Sequence, residues 1–135
     1  MTDKVGITIK GIRTMDGEHE CVEESGEGDY YRKNGKHYIL WRRDGDMVKR
    51  IRIDDHSMTV TETNGGNAMD FQEGRKTTVA YGGPEGKLVL VLWTHRFCLR
   101  CREEVLEAEV EYALYHGENH ISDNKITVTV FLREA

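Results

Sequence analysis

The sharpest spacing for chemistry in this chain is an H-x-x-C-x-x-C run formed by His95, Cys98 and Cys101. Zinc takes about four nitrogen or sulfur ligands in a tetrahedron, and two cysteines separated by two residues can hold it from a tight turn. The fourth ligand would have to come from Cys21 or His19. The alternative is a strand, on which residues three apart point to opposite faces, so that the two thiols cannot share an ion. We favour the strand and expect neither a metal nor another cofactor.

A second candidate is the pair His19 and Cys21, which lie two positions apart on one side of a presumed strand. A cysteine nucleophile needs a base within hydrogen-bonding reach and a third group that orients the base. The sequence offers no evidence of that geometry, so we favour a surface histidine beside a half-buried cysteine. The glycine-rich segment 82–86 precedes neither a helix pattern nor a Lys-Ser/Thr pair, which argues against a phosphate-binding loop.

Aromatic side chains with polar tips are the candidates for binding a small molecule, because they combine apolar area with a hydrogen-bonding group. A barrel of about eight to ten strands is just wide enough to be filled by side chains or to hold one small ligand. A ligand cavity and a packed interior both fit the sequence. The candidate ligand-binding residues are Tyr31, Tyr38, Trp41, Tyr81, Trp93 and Tyr112.

The elements that must position these residues are short segments of alternating apolar and polar residues. Gly, Asn and Asp turns separate them about every ten residues, which is typical of a β-sandwich or a β-barrel. The segment 33–36 is the strongest hairpin signal, since its Asn34-Gly35 pair supplies the two positive φ angles of a type I′ turn. The predicted strands are Val5–Ile12, Lys36–Arg42, Met47–Ile53, Ser57–Thr63, Lys76–Tyr81, Lys87–Thr94 and Lys125–Leu132.

The segment Glu103–Tyr115 is rich in Glu, Leu and Ala, which favour helices by propensity. As a helix it would place Glu109 inside an apolar arc, whereas a period of two has no exception. As a strand it puts five apolar residues on one face, namely Leu106, Ala108, Val110, Tyr112 and Leu114. The pattern therefore predicts a strand.

The segment Lys87–Thr94 is apolar on both faces. Leu88, Leu90 and Leu92 share one face, while Val89, Val91 and Trp93 share the other. Such a strand is either covered on both sides or exposes an outer apolar patch that pairs with another subunit. The second of these arrangements predicts a homodimer.

The acidic residues form two groups, which we interpret as solvated strand faces. Neither group has the Asp/Asn/Gly spacing of a calcium-binding loop. The first group contains Glu18, Glu20, Glu23, Glu24, Glu27 and Asp29, and the second contains Glu107, Glu109 and Glu111.

The composition of the chain limits its class of function and its cellular location. The chain has 135 residues with a net charge of −5, and an acidic balance argues against a general nucleic-acid binder. Three cysteines, an odd number, suit a reducing cytoplasm better than a disulfide framework. The first residues lack the apolar region of a secretory signal, and no run is long enough to span a membrane. We expect a cytoplasmic protein that associates with neither nucleic acid nor membrane.

Several turn and strand segments, taken in order, resemble a known family. They are Ile7–Gly11, Met15–Gly17, Gly28–Tyr31, Lys33–Ile39, Phe71–Gly74, Tyr81–Gly86 and Asn124–Val128. The sequence resembles the YwiB-like family of small bacterial proteins of unknown function over nearly its whole length. The resemblance implies a calycin-like, that is lipocalin-like, β-barrel and implies no particular reaction. Cys98 and Cys101 depart from it, because ordinary strand residues are expected there.

These observations predict one all-β domain over residues 1–135. We expect an antiparallel closed barrel of about eight to ten strands with mostly up-and-down connections, and an open β-sandwich is the alternative. For function, the first hypothesis is a non-enzymatic module that binds a small, partly apolar molecule in the barrel interior. The second is a protein–protein interaction or structural domain that self-associates. The least favoured is an enzyme or zinc site that uses Cys21 or the group at His95, Cys98 and Cys101.

Overall fold

The computed structural model describes residues 3–62, 68–83 and 86–131, with their side chains except at 81–83 and 87. Within these ranges the chain forms ten β-strands and no helix. No helix that could cross a membrane therefore occurs in the described part of the chain. The strands are β1 (Asp3–Met15), β2 (Glu18–Lys33), β3 (Lys36–Arg43), β4 (Asp46–Ile53), β5 (Ser57–Glu62), β6 (Ala68–Gln72), β7 (Lys76–Gly83), β8 (Gly86–Cys101), β9 (Val105–His116) and β10 (Asn119–Phe131).

The strands form one antiparallel sheet in the order β6-β5-β4-β3-β2-β1-β10-β9-β8-β7. The first and last strands pair along most of their length, from Gly6 opposite Phe131 to Thr14 opposite Asp123. The consecutive strands β6 and β7 lie at the two ends of this order and contact each other without a described ladder. The sheet is thus nearly closed into an up-and-down barrel. This confirms the predicted barrel over the alternative sandwich.

Two-residue turns set the register of the hairpins. The pairs Asp16-Gly17, Asn34-Gly35 and Asp44-Gly45 all have positive φ at both positions, with Asn34 at 52° and Gly35 at 77°. These angles match the twist of the flanking strands in type I′ turns. The Asn34-Gly35 hairpin, predicted from the sequence, places Tyr31 opposite Tyr38 and Gly28 opposite Trp41.

We define the upper end of the barrel by the β1–β2 and β3–β4 turns and the lower end by the β2–β3 and β8–β9 turns. Alternate residues of each strand face the interior, as the period of a strand requires. Large apolar side chains fill the core between the two ends. The largest fully buried ones are Trp41, Phe71, Ile7, Ile39, Ile51, Ile53, Met58, Leu92, Val110, Val128 and Val130.

The structure extends the predicted strands and gives the bounds of two more, which the apolar pattern alone does not outline. The segment 103–115 is the strand Val105–His116, as predicted, with its alternating apolar face buried. By contrast, Glu18–Lys33 carries acidic residues on both faces in its first half, so it lacks apolar alternation. Ala68–Gln72 has five residues, too few to show a period. Thr63 and Leu132, the last residues of two predicted strands, lie outside the described ranges.

Candidate functional site

The H-x-x-C-x-x-C run lies in the lower half of β8. The register shifts between Thr94 and Arg96, so His95 forms a bulge. Beyond the bulge Phe97 is buried, and the alternation puts Cys98 on the outer face and Cys101 on the inner one. The strand interpretation is therefore confirmed up to Cys101. Among the described residues, no cluster of three or more His, Cys, Asp or Glu side chains is arranged to hold a metal ion.

His19 and Cys21 lie on the exposed β1–β2 hairpin. Nδ1 of His19 lies 3.0 Å from the hydroxyl oxygen of Thr14, its register neighbour. The Cys21 thiol is free and exposed. The cysteine is thus not half-buried as expected, because this hairpin extends beyond the packed part of the barrel.

Two of the candidate aromatic residues face the interior. Trp41 is 2% exposed and Tyr112 is 7% exposed. The Tyr112 ring packs against Phe71, with 4.8 Å between the ring centroids. Tyr81 belongs to β7, but its side chain lies outside the described residues.

Three other candidates lie on the outer face, so they do not share the barrel interior with Trp41 and Tyr112. Tyr31 and Tyr38 are register neighbours and stack with 4.8 Å between their centroids. Trp93 lies under Nζ of Lys76, which is 4.7 Å from the ring centroid. The physical reason is the strand period: Tyr38 and Trp41 are three residues apart on β3 and so face opposite ways.

A row of polar residues crosses the inner face in the upper half of the barrel. Thr94, Tyr112, Asn124, Arg13 and Glu20 are successive register neighbours on β8, β9, β10, β1 and β2. We call these five residues the polar row. The first three are buried and the last two are exposed. The row therefore runs from the core to the open surface of the β1–β2 hairpin.

A cavity of about 130 Å³ lies against the middle of the polar row. Its polar lining comes from Arg13, Glu20, Tyr112, Asn124 and Lys125, and its remaining lining residues are Gly11, Ile12, Val22 and Ile126. Gly11 leaves this space open, because a Cβ atom added there would meet nothing within 4 Å. The cavity thus combines apolar walls with hydrogen-bonding groups from several strands.

The buried end of the polar row contains an unpaired group. Thr94 is completely buried, and among the described residues its hydroxyl oxygen has no hydrogen-bond partner. An unsatisfied buried polar group costs about 1–3 kcal/mol. On the same inner face, two strands away on β10, Nδ2 of Asn124 donates a hydrogen bond to the Ser122 hydroxyl oxygen, 3.0 Å away. The upper interior therefore holds polar groups where an apolar core would be more stable.

A second cavity of about 250 Å³ opens at the same end, beside β2. Its lining includes Trp41, Lys49 and Glu24. Nζ of Lys49 lies 3.0 Å from Oε1 of Glu24 and 5.2 Å from the centroid of the Trp41 ring. Glu24 and Val22, which lines the first cavity, are two residues apart on one face of β2, about 7 Å along the strand. The two cavities therefore flank the same strand.

The first acidic group is only partly a solvated face. Glu24 pairs with Lys49, and Asp29 pairs with Arg42 through a contact of 2.6 Å. In the second group, Glu107 and Glu111 pair with arginines of β8 across the outer face. Both acidic groups thus form ion pairs between strands and also contact solvent.

Four members of the polar row, Arg13, Glu20, Thr94 and Asn124, are absent from the candidates chosen by sequence. They lie on four different strands, so only the register brings them together. One signal was available for Thr94, because a polar residue follows Leu90 and Leu92 at the same period of two. For the other three no local pattern indicates the site.

Comparison with known proteins identifies the family of the chain but no activity. A family profile described as "Domain of unknown function (DUF1934)" matches residues 7–128. The fold is similar to the crystal structure of the ywiB protein from Bacillus subtilis, with a TM-score of 0.81 and 20% identity over 96% of this chain and 92% of that one. The comparison with curated proteins gave no match. The resemblance to the YwiB-like family is confirmed.

Proposed function

The chain belongs to the DUF1934 family of domains of unknown function, and we propose that it binds a small, partly apolar molecule at the upper end of its barrel. The observation that carries the proposal is the polar row, whose buried end includes a hydroxyl with no partner among the described residues and whose middle lines an open cavity. Such an arrangement does not stabilise the fold, because buried polar groups without partners destabilise a core.

The lining supports a ligand with both a polar and an apolar part. Asn124 and Tyr112 bring hydrogen-bonding groups into a buried position, while Val22 and Ile126 add apolar surface. Val22 is 55% exposed although it belongs to the inner face of β2, so it has apolar area to lose on binding. Burial of apolar area gives affinity, and a few placed polar groups give orientation.

The size of the cavities supports partial insertion. Pockets for drug-sized ligands have volumes of about 300–1,000 Å³, well above the 130 Å³ of the cavity at the polar row. A ligand would place one end in this cavity and cover the rest of the upper opening. The cavity beside Lys49 and Glu24 lies within reach of a molecule that crosses β2. We propose a binding role without catalysis.

Gly11 offers the sharpest test of this proposal. A valine at Gly11 would extend into the cavity, since nothing lies within 4 Å of the added Cβ. Gly6 lies on the same strand but on the outer face, where an added Cβ meets only the Phe131 side chain at 3.9 Å or more. Gly6→Val is therefore the matched control for Gly11→Val.

The wild-type protein and both variants would be purified from the same host and analysed by native mass spectrometry, followed by thermal-shift measurements with a fragment library. We expect a bound small molecule, or fragments that raise Tm, for the wild type and Gly6→Val. We expect affinity to fall about tenfold or more for Gly11→Val, because the valine occupies the space of the ligand. Equal binding by Gly11→Val and wild type would contradict the site, and no binding by any of the three would contradict the function.

A further inference from the structure

Beyond ligand binding, we propose that the outer face of β7–β10 associates with a second copy of the chain about a two-fold axis that runs parallel to the strands, between β8 and β9. The two-sided apolar pattern of β8 is the starting point. On its outer face Val89 is 54% exposed, and Val91 and Trp93 are half-buried. Tyr115, the register neighbour of Val91, extends the patch onto β9.

The flanks of this patch carry opposite charges in one row. Lys76, Trp93, Ala113 and Asp123 are successive register neighbours on β7, β8, β9 and β10. Lys76 and Asp123 are both exposed. The row therefore has a cation at one edge, an anion at the other and apolar residues between them.

A two-fold interface requires a surface that is complementary to itself. Rotation about the proposed axis exchanges β7 with β10 and β8 with β9 while keeping the height along the strands. Lys76 of one copy then faces Asp123 of the other, and Val91 faces Tyr115. Two sheets packed with nearly aligned strands are a common arrangement in proteins.

The lower part of the same face obeys the same symmetry. On β8 the outward residues Arg96 and Arg100 are basic, and their register neighbours on β9, Glu111 and Glu107, are acidic. Within one chain they pair at 3.0 Å and 3.1 Å. Across the proposed axis each arginine also faces the equivalent glutamate of the second copy. Charge complementarity of this kind fixes the register of an interface and selects the partner.

The charge pattern argues against the other simple assembly of this strand. The lower edge of β8 has no ladder partner among the described strands on the side of β7. Pairing this edge with itself in an antiparallel ladder centred on Cys98 would set Arg96 opposite Arg100. Like charges directly opposite each other destabilise paired strands. Face-to-face packing is therefore the arrangement that the residues favour.

Charge reversal tests the symmetry directly. Lys76→Glu would set two acids against each other at both edges of the dimer, and Asp123→Lys would set two lysines there. The double variant Lys76→Glu/Asp123→Lys restores opposite charges with the signs exchanged. Both residues are exposed, so these changes leave the core intact.

The oligomeric state would be measured by analytical ultracentrifugation over a concentration series of the full chain. We expect a monomer–dimer equilibrium for the wild type, a dissociation constant about tenfold or more higher for each single variant, and recovery of the wild-type dissociation constant in the double variant. Trp93→Ala should weaken the dimer, while Tyr38→Ala, which removes an outer aromatic ring far from the patch, should not. A wild-type monomer at every concentration would overturn the proposal, as would single reversals that leave the dimer unchanged or a double variant that fails to restore it.

Discussion

The hydroxyl oxygen of Tyr30 lies 2.7 Å from Nδ1 of His37, and the two rings stack inside the lower end of the barrel. Tyr30 is 8% exposed and His37 is 6% exposed. Burial, as the largest cause, lowers the pKa of His37 below its usual 6.5 and raises the pKa of Tyr30 above its usual 10.0. The fold therefore favours the neutral form of both side chains.

The stability of the protein should depend on pH through this pair. Because the folded-state pKa of His37 is lowered, the unfolded chain binds more protons just below pH 6.5, and the free energy of unfolding falls as pH drops through that range. Because the folded-state pKa of Tyr30 is raised, its contribution is present below pH 10.0 and is lost as pH rises beyond it. Urea unfolding at a series of pH values measures both slopes.

Variants separate this pair from the other titrating groups. His37→Gln keeps a hydrogen-bonding partner for Tyr30 but does not titrate, so its acid slope should be shallower than that of the wild type. Identical acid slopes for His37→Gln and the wild type would refute the role of His37.

Two glycines of β2 allow the close packing of β3 against it. A Cβ atom at Gly26 would overlap the Trp41 indole, and one at Gly28 would overlap the backbone carbonyl of Leu40. We expect Gly26→Ala and Gly28→Ala to lower the free energy of unfolding by about 1–3 kcal/mol, the usual cost of overpacking. Gly28→Ala should cost more, because a backbone carbonyl has less freedom to shift than a side chain. Gly11→Ala is the control, because its added Cβ meets nothing within 4 Å. The free energy of unfolding of each variant would be measured by chemical denaturation. An equal loss of stability at all three positions would show that close packing is not the cause.

The junction between β6 and β7 depends on a side chain. The Thr77 hydroxyl donates a hydrogen bond to the carbonyl oxygen of Asp70, 2.6 Å away, between two strands that lack a described ladder. Thr77→Val should lower the free energy of unfolding by about 1 kcal/mol and speed amide hydrogen exchange in β6. Thr78→Val, on the outer face of the same strand, should change neither quantity. Unchanged exchange in Thr77→Val would show that this bond does not hold the junction closed.

The unpaired hydroxyl of Thr94 should make the free protein less stable than it could be. Thr94→Val keeps the side-chain shape and removes the buried oxygen that finds no partner among the described residues. We expect the free energy of unfolding to rise by about 1 kcal/mol, which is typical of relieving such a group. Thr127→Val, at a partly exposed position of β10, should stay within about 0.5 kcal/mol of the wild type. A destabilised Thr94→Val protein would mean that the hydroxyl is paired in solution.

Local chemistry made much of the fold predictable. The Asn34-Gly35 turn is indicated by residue types alone, and the period of two identifies Val105–His116 against its helical propensity. At one place the sequence also indicates which side of the sheet a side chain occupies, since Tyr38 and Trp41 are three residues apart on one strand. The ordinary strand period thus separates an outer stack from a core side chain.

The candidate site was not predictable in the same way. Arg13 and Asn124 are neighbours only because β1 pairs with β10, and this pairing joins the two ends of the chain. Bulges at His95 and near Ile121 shift the strand period, and apolar alternation does not indicate their positions. A site built across five strands therefore needs the register, which is a property of the whole sheet.

The most direct test of the proposed ligand site is an NMR titration of the uniformly labelled protein with fragments that join an amide or carboxylate to a short alkyl chain or one ring. We predict that the binding fragments shift the amide signals of Gly11, Val22 and Asn124 at the upper end. The signals of Tyr30 and His37 at the lower end should stay in place. Shifts confined to the lower end or to the outer stack of Tyr31 and Tyr38, or no shifts with any fragment, would contradict a ligand site at the polar row.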